Sequence, residues 1–150
     1  MPARQAIQVR THITIGKPAR EVFEAIVDPE KMSNYFISSG SGRLKTGAKV
    51  QWEFPEVDRT LELDVQEIEP DRRISFFWQA TGVRTRVEIE LKPLSESVTI
   101  VRVSDSEWSP DETGIKNALG QMEGWTHFLC CLLAYIEYDI RNRAFFSARL

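Results

Sequence analysis

Asp105 is the residue on which chemistry in this chain would turn. In the segment Thr99 to Asp105, Arg102 is expected to face solvent, which sends Thr99, Val101, Val103 and Asp105 to the opposite, inward face of a strand. An inward carboxylate must find a donor or hold its proton more tightly than usual. It is therefore a candidate general base or ligand anchor. The plainer expectation is a position at the strand end within reach of water, because most aspartates are exposed. Aromatic residues recur at strand spacing ahead of it: Trp52 with Phe54, then Phe76 with Trp78. Met122, Trp125 and Leu129 follow at helical spacing and should meet those rings from above. Apolar walls with a few placed polar groups are the composition of a small-molecule pocket. The polar groups would be Thr11, Thr99 and Asp105, and Tyr35 with Phe36, beside the Ser/Gly run at 38–42, would form a lid or mouth. The competing expectation is a close-packed core with no room for a ligand.

Other reactive types are sparse. His12 falls on the outward parity of the first strand, and His127 points away from the apolar stripe of its helix. With no acidic or cysteine partners at ligand spacing, no metal site is expected, and no cofactor. Cys130 and Cys131 are adjacent and cannot easily pair with each other, so both are expected as reduced thiols of a cytoplasmic protein. The chain has no G-x-S-x-G, P-loop or H-E-x-x-H motif, and the 38–42 run lacks the lysine–serine pair of a phosphate cradle. No catalytic residue is identified.

Composition narrows the partners. The chain has 150 residues, 42% of them hydrophobic, and 19 basic against 22 acidic side chains give a net charge of -3. Charge is mixed along the chain, so neither nucleic acid nor a membrane surface is an expected partner. No run of 18 apolar residues is present, and the first ten residues lack the apolar core of a signal peptide. The length fits one domain over 1–150 with a real core.

The elements that must position these groups read in order. Ile7, Val9, Thr11, Ile13 and Ile15 alternate as a half-buried strand. Pro18 suits a helix start, and Val22, Phe23, Ile26 and Val27 give that helix an apolar face. Asp28-Pro29 ends it and caps a second short helix towards Tyr35 and Phe36. Five further strands follow, around 50–54, 61–68, 74–78, 87–91 and 99–105, with a parity slip near Ile68. A helix over about 113–142 closes the pattern, and its apolar stripe is expected to run through Ile115, Leu119, Met122, Trp125, Leu129, Leu132, Leu133, Ile136 and Ile140. The fold class is α+β: a curved antiparallel sheet gripping a long C-terminal helix, with two short helices after the first strand.

This order, with three particular segments, resembles the START-like superfamily, also called the birch-pollen-allergen or helix-grip fold. The segments are VFEAIVDPEKMSNYF at 22–36, VQEIEPDRRISFFW at 65–78, and Gly124-Trp125 followed by Leu129, Leu132, Ile136 and Glu137. The last spacing is similar to the branch related to the C-terminal domain of the ATPase activator of the ninety-kilodalton heat-shock chaperone. Tyr35 stands where that branch commonly has tryptophan, and Asp105 where histidine is often seen. The turn PEVDRT lacks the glycines often found there. The resemblance implies a cavity between sheet and long helix, and no single activity.

Three functions follow as expectations. The first is binding of a small hydrophobic ligand in that cavity. The second is a protein-interaction module with a chaperone partner, using the outer surface or the apolar tail Ala144, Phe145, Phe146 and Leu150. The third is a cyclase- or hydratase-like enzyme, which needs an inward acid–base pair. The tail makes the chain either a monomer with the tail folded back or a homodimer. The Gly120–Gly124 pair is expected to relieve crowding against the sheet.

Overall fold

Alternating sequence becomes alternating burial along nearly every strand. The computed structural model describes residues 6–54 and 58–141. Seven strands form one antiparallel sheet in the order β1-β7-β6-β5-β4-β3-β2. They are β1 (Ile7–Ile15), β2 (Ser39–Gly40), β3 (Lys49–Phe54), β4 (Arg59–Glu69), β5 (Arg73–Trp78), β6 (Thr85–Ser95) and β7 (Val98–Trp108). Helices α1 (Ala19–Val27) and α2 (Pro29–Met32) follow β1, and α3 (Glu112–Tyr138) closes the pattern. This is the expected α+β helix-grip architecture.

Local chemistry sets the helix ends. Glu21 sits in the first turn of α1, where its charge meets the positive end of the helix dipole. Asp28 ends α1 and caps α2, its carboxylate accepting from Glu30 N at 3.0 Å. Asp111 caps α3 by accepting from Gly114 N at 2.7 Å. Gly114 is obligatory there, since a Cβ would lie 1.8 Å from the Ser109 carbonyl oxygen.

Two details differ from the sequence expectation. The 38–42 run contributes a seventh strand, β2, where Gly40 pairs with Trp52. A Cβ on Gly40 would press on Pro29 at 3.0 Å and Ile37 at 3.1 Å, so a larger residue would crowd this edge where it closes over the indole. The parity slip of β4 lies between Val65 and Glu67.

Helix α3 runs alongside β1. Thr11 Oγ1 meets Thr126 Oγ1 at 3.3 Å, and Gly16 N donates to Glu137 Oε1 at 3.1 Å. The spans match: five strand residues and eleven helical ones each cover roughly 16 Å. The helix thus lies parallel to the first strand and roofs the concave face. Its buried stripe is Gly114, Ala118, Trp125, Phe128, Leu129, Cys131 and Leu132. Burial lifts the Cys131 thiol to about 12, so it is a core thiol and not a nucleophile.

The expected stripe was partly misplaced. Ile115, Leu119 and Met122 face solvent, with Leu119 64% and Met122 42% exposed. At 100° per residue, Met122 lies about 60° and Leu119 about 120° round the helix from Trp125, beyond what the narrow sheet covers. Ile140 is exposed as well. Gly120 and Gly124 face open space, so they relieve no crowding. The apolar tail at 144–150 lies outside the described residues.

Candidate functional site

Between the concave sheet and α3 lies a cluster of rings. Trp52 on β3, Phe76 and Trp78 on β5, and Trp125 and Phe128 on α3 are all buried, and Phe36 and Phe54 close one side half-buried. Trp78 and Trp125 face each other at 5.1 Å between centroids. Trp52 meets Trp78 edge-on at 6.3 Å and Phe76 at 5.7 Å. Phe36 packs edge-on against Phe128 at 4.8 Å and Phe54 at 5.2 Å. Edge-to-face geometry of this kind matches ring edges to ring faces and adds to burial. Leu129 lies in the same interior.

Asp105 sits at the floor of this cluster and is 0% exposed. The expectation of a water-exposed strand end is therefore wrong. The physical reason lies two residues further on. Glu107 has a φ of 78°, and the pairing of β7 with β1 slips between Val9↔Asp105 and Ile7↔Trp108. This bulge sends Trp108 inward and closes the strand end over the carboxylate. Trp108 is 1% exposed and its Nε1 donates to the Asp105 carbonyl oxygen at 3.0 Å.

The carboxylate itself is held from the roof. Trp125 Nε1 donates to Asp105 Oδ2 at 3.0 Å. Burial raises the Asp105 pKa above the usual aspartate value, opposed by donors from Trp125, Thr85 and Trp78. Thr85 and Trp78 are register partners on β6 and β5, so both reach the floor beside Asp105. Both face Asp105, but neither forms a hydrogen bond of ordinary geometry with it, so Asp105 Oδ1, Trp78 Nε1 and Thr85 Oγ1 are buried and only loosely satisfied. Native interiors leave few such atoms, and three around one carboxylate ask for an explanation.

The other expected site residues separate. Thr99 is buried, but its hydroxyl is committed to the Lys17 carbonyl at 2.8 Å. It lies at the other end of β7, roughly 20 Å from Asp105. Thr11 ties β1 to α3 through Thr126. Tyr35 is no lid: it is 1% exposed, stacks on Tyr135 at 5.2 Å and donates its hydroxyl to the Ala25 carbonyl at 2.8 Å. Burial holds that phenol well above its usual range. Met122 points outward and does not reach the interior.

Sequence reasoning missed Thr85, Trp108 and Phe128. Thr85 shares parity with Val87 and Ile89 and was readable as their continuation. Phe128 was readable as the i+3 neighbour of Trp125. Trp108 was not, because the bulge reverses its parity.

A surface groove of about 430 Å³ lies elsewhere, lined by Arg20, Glu21, Glu24, Lys31, Tyr135 and Asp139. Glu24 there is paired with Arg43 at 2.6 Å, which lowers its pKa, and the groove is rimmed by solvated charge. It contains none of the unpartnered buried atoms. Among the described residues, no three of His, Cys, Asp or Glu gather as a metal-binding group.

Residues 17–137 match the family described as Activator of Hsp90 ATPase homolog 1-like protein. The chain belongs to this family. Protein SSP2350 from Staphylococcus saprophyticus is 30% identical over 90% of this chain and 95% of that one, with a TM-score of 0.78. The Aha1 dimer from Colwellia psychrerythraea is 15% identical, covers 88% and 97% of the two chains, and has a TM-score of 0.73. A START superfamily protein from Mycobacterium smegmatis is 12% identical over 87% and 97%, with a TM-score of 0.66. The last two share the fold. No curated protein matches the chain. The fold is thus START-like and Aha1-related, and no helix of the described residues is long and apolar enough to cross a membrane.

Proposed function

We propose that this member of the Activator of Hsp90 ATPase homolog 1-like family is one START-like domain that binds a small apolar ligand between sheet and α3, in the cytoplasm. The observation that carries the reading is the coincidence of the ring cluster with a fully buried carboxylate, Asp105, whose Oδ1 is only loosely satisfied by Trp78 and Thr85. A core serving only stability does not gather loosely satisfied polar atoms, each of which costs up to about 1–3 kcal/mol. A pocket for a mostly apolar molecule needs a few of them to fix orientation. The binding residues are Trp52, Phe54, Phe76, Trp78, Trp125 and Leu129, with Phe36 at the rim and Asp105 at the floor. The ligand enters by displacing the Phe36 ring. The third expectation, acid–base catalysis, has less support: Asp105 is the one buried charged side chain among the described residues.

The test is titration with the neutral apolar dye N-phenyl-1-naphthylamine. Saturable fluorescence at one dye per chain is expected, weakened about tenfold by Trp125→Leu. Absence of saturable binding would sink the reading.

A second reading rests on Ile115, Leu119 and Met122, an exposed apolar row on the outer side of α3. It offers a surface for a protein partner, and the family description points to an Hsp90 chaperone. Leu119→Glu should then abolish binding to purified chaperone while leaving dye binding unchanged. If Leu119→Glu removes dye binding and Trp125→Leu does not, the dye reports the outer row and the pocket reading fails.

A further inference from the structure

We propose that the outer face of α3 is a homodimer interface: a second copy lays its own α3 antiparallel across it, with the twofold axis at Leu119. This goes beyond the readings above. It does not involve the interior, and it assigns the outer row to a second copy of this chain.

The face is open. Ile115, Leu119 and Met122 are large apolar residues exposed on one helix. Lys116 and Glu123 beside them are exposed too, and among the described residues neither joins an ion pair. They stand about 10 Å apart along the axis and cannot reach each other, since only residues three or four apart are neighbours on a helix. At 100° per residue, Ile115 and Met122 lie about 40° and 60° to one side of Leu119. Lys116 and Glu123 lie about 60° and 40° to the other. Leu119 is thus the centre line between an apolar side and a charged side.

The heights balance as well. Ile115 and Lys116 lie about 6 and 4.5 Å before Leu119, and Met122 and Glu123 about 4.5 and 6 Å after it. A twofold axis perpendicular to two side-by-side helices reverses the axial order and brings like side to like side. Ile115 then meets the partner's Met122, Leu119 meets the partner's Leu119, and Lys116 meets the partner's Glu123. The heights agree to about 1.5 Å. A parallel pair would set Lys116 and Glu123 against the partner's Ile115 and Met122, stripping water from both charges without pairing them. Charge complementarity therefore selects a second copy, antiparallel, as the occupant.

The test is mass by sedimentation equilibrium on the intact chain from about 1 µM to 1 mM, the range of dissociation constants of small, transient interfaces. A reversible monomer–dimer equilibrium is expected. Leu119→Glu should weaken it at least about tenfold. Its unfolding midpoint at 1 µM should stay that of the parent, because the side chain is exposed. Lys116→Glu and Glu123→Lys should each weaken self-association about threefold or more, by setting like charges together. An equimolar mixture of these two variants should regain dimerisation to within about twofold of the parent, since each chain then meets opposite charge. A monomer over the whole range overturns the proposal, and the row passes to the chaperone reading if Leu119→Glu also loses the chaperone. A dimer that survives Leu119→Glu overturns it, because the interface then lies elsewhere. A mixture that fails to recover overturns the antiparallel pairing and the proposal with it. None of these outcomes depends on dye binding, so the pocket reading stands or falls separately.

Discussion

Thr99 and Asp105 share the inward face of one strand and do opposite work at its two ends. At the Thr99 end the core is aliphatic, with Ile15 and Val22 buried close to the start of α1, and the Thr99 hydroxyl is spent on the Lys17 carbonyl. At the Asp105 end the core is aromatic, three tryptophan N–H groups converge on one residue, and bonding capacity is left over. The same sheet and the same roofing helix serve both ends. The difference teaches that burial alone does not mark a site. Unspent hydrogen bonding inside a buried region does.

The largest effect should come from Trp125→Ala. It removes a fully packed indole and leaves Asp105 Oδ2 without its donor, and should cost about 3–5 kcal/mol in chemical denaturation. A loss below about 1 kcal/mol would mean that the aromatic end does not hold the fold, and the contrast between the ends would disappear. A smaller loss, about 1–2 kcal/mol, is expected for Thr99→Val, which leaves the half-buried Lys17 carbonyl without its donor. That variant should bind the naphthylamine dye as the parent does. Weakened dye binding would show that the two ends are one site after all.

A still smaller effect sharpens the comparison through pH. The Asp105 carboxyl is held above the usual aspartate value by burial, so the folded chain binds this proton more tightly than the unfolded one. Its contribution therefore favours folding as pH falls from the raised folded value towards the ordinary one, and is lost as pH rises through the folded value. The difference in unfolding midpoint, parent minus Asp105→Asn, should become more positive with acidification across that window. A flat or opposite trend would show the carboxylate to be better solvated than its burial implies. Glu24 and Asp111, whose pKa values are lowered, act with the other sign and cancel in the difference.

Most of the scaffold was legible in the sequence because its signals are periodic. β1 and β7 alternate cleanly, Asp28 announces a helix start, and the ring pairs 52/54 and 76/78 sit at strand spacing. The site was half legible. Asp105 was visible as inward, but its depth was not, because that depends on a backbone reversal at Glu107 that no side-chain pattern encodes. Met122 reads as inward in the sequence because the helix is apolar further round than the sheet is wide. Sequence shows how much of a helix is apolar and not how much of it finds a partner. β2 was hidden because two residues of serine and glycine carry no period at all.

That short strand has a consequence for how the molecule behaves in a crowd of its own copies. A sheet of seven strands has two open flanks, and an open flank invites another chain to add a strand. On the β1 flank, α3 is tied to the strand at Thr11 and Gly16, where Glu137 takes the Gly16 N–H at 3.1 Å. On the β3 flank, the guard is the serine run itself: Ser38 N bonds Glu53 O at 2.8 Å, Ser41 N bonds Gln51 O at 2.9 Å, and the Ser41 hydroxyl takes Gln51 N at 2.8 Å. What looks in the sequence like a featureless linker thus acts as a hem, stitched along an edge that would otherwise be free to fray into aggregation.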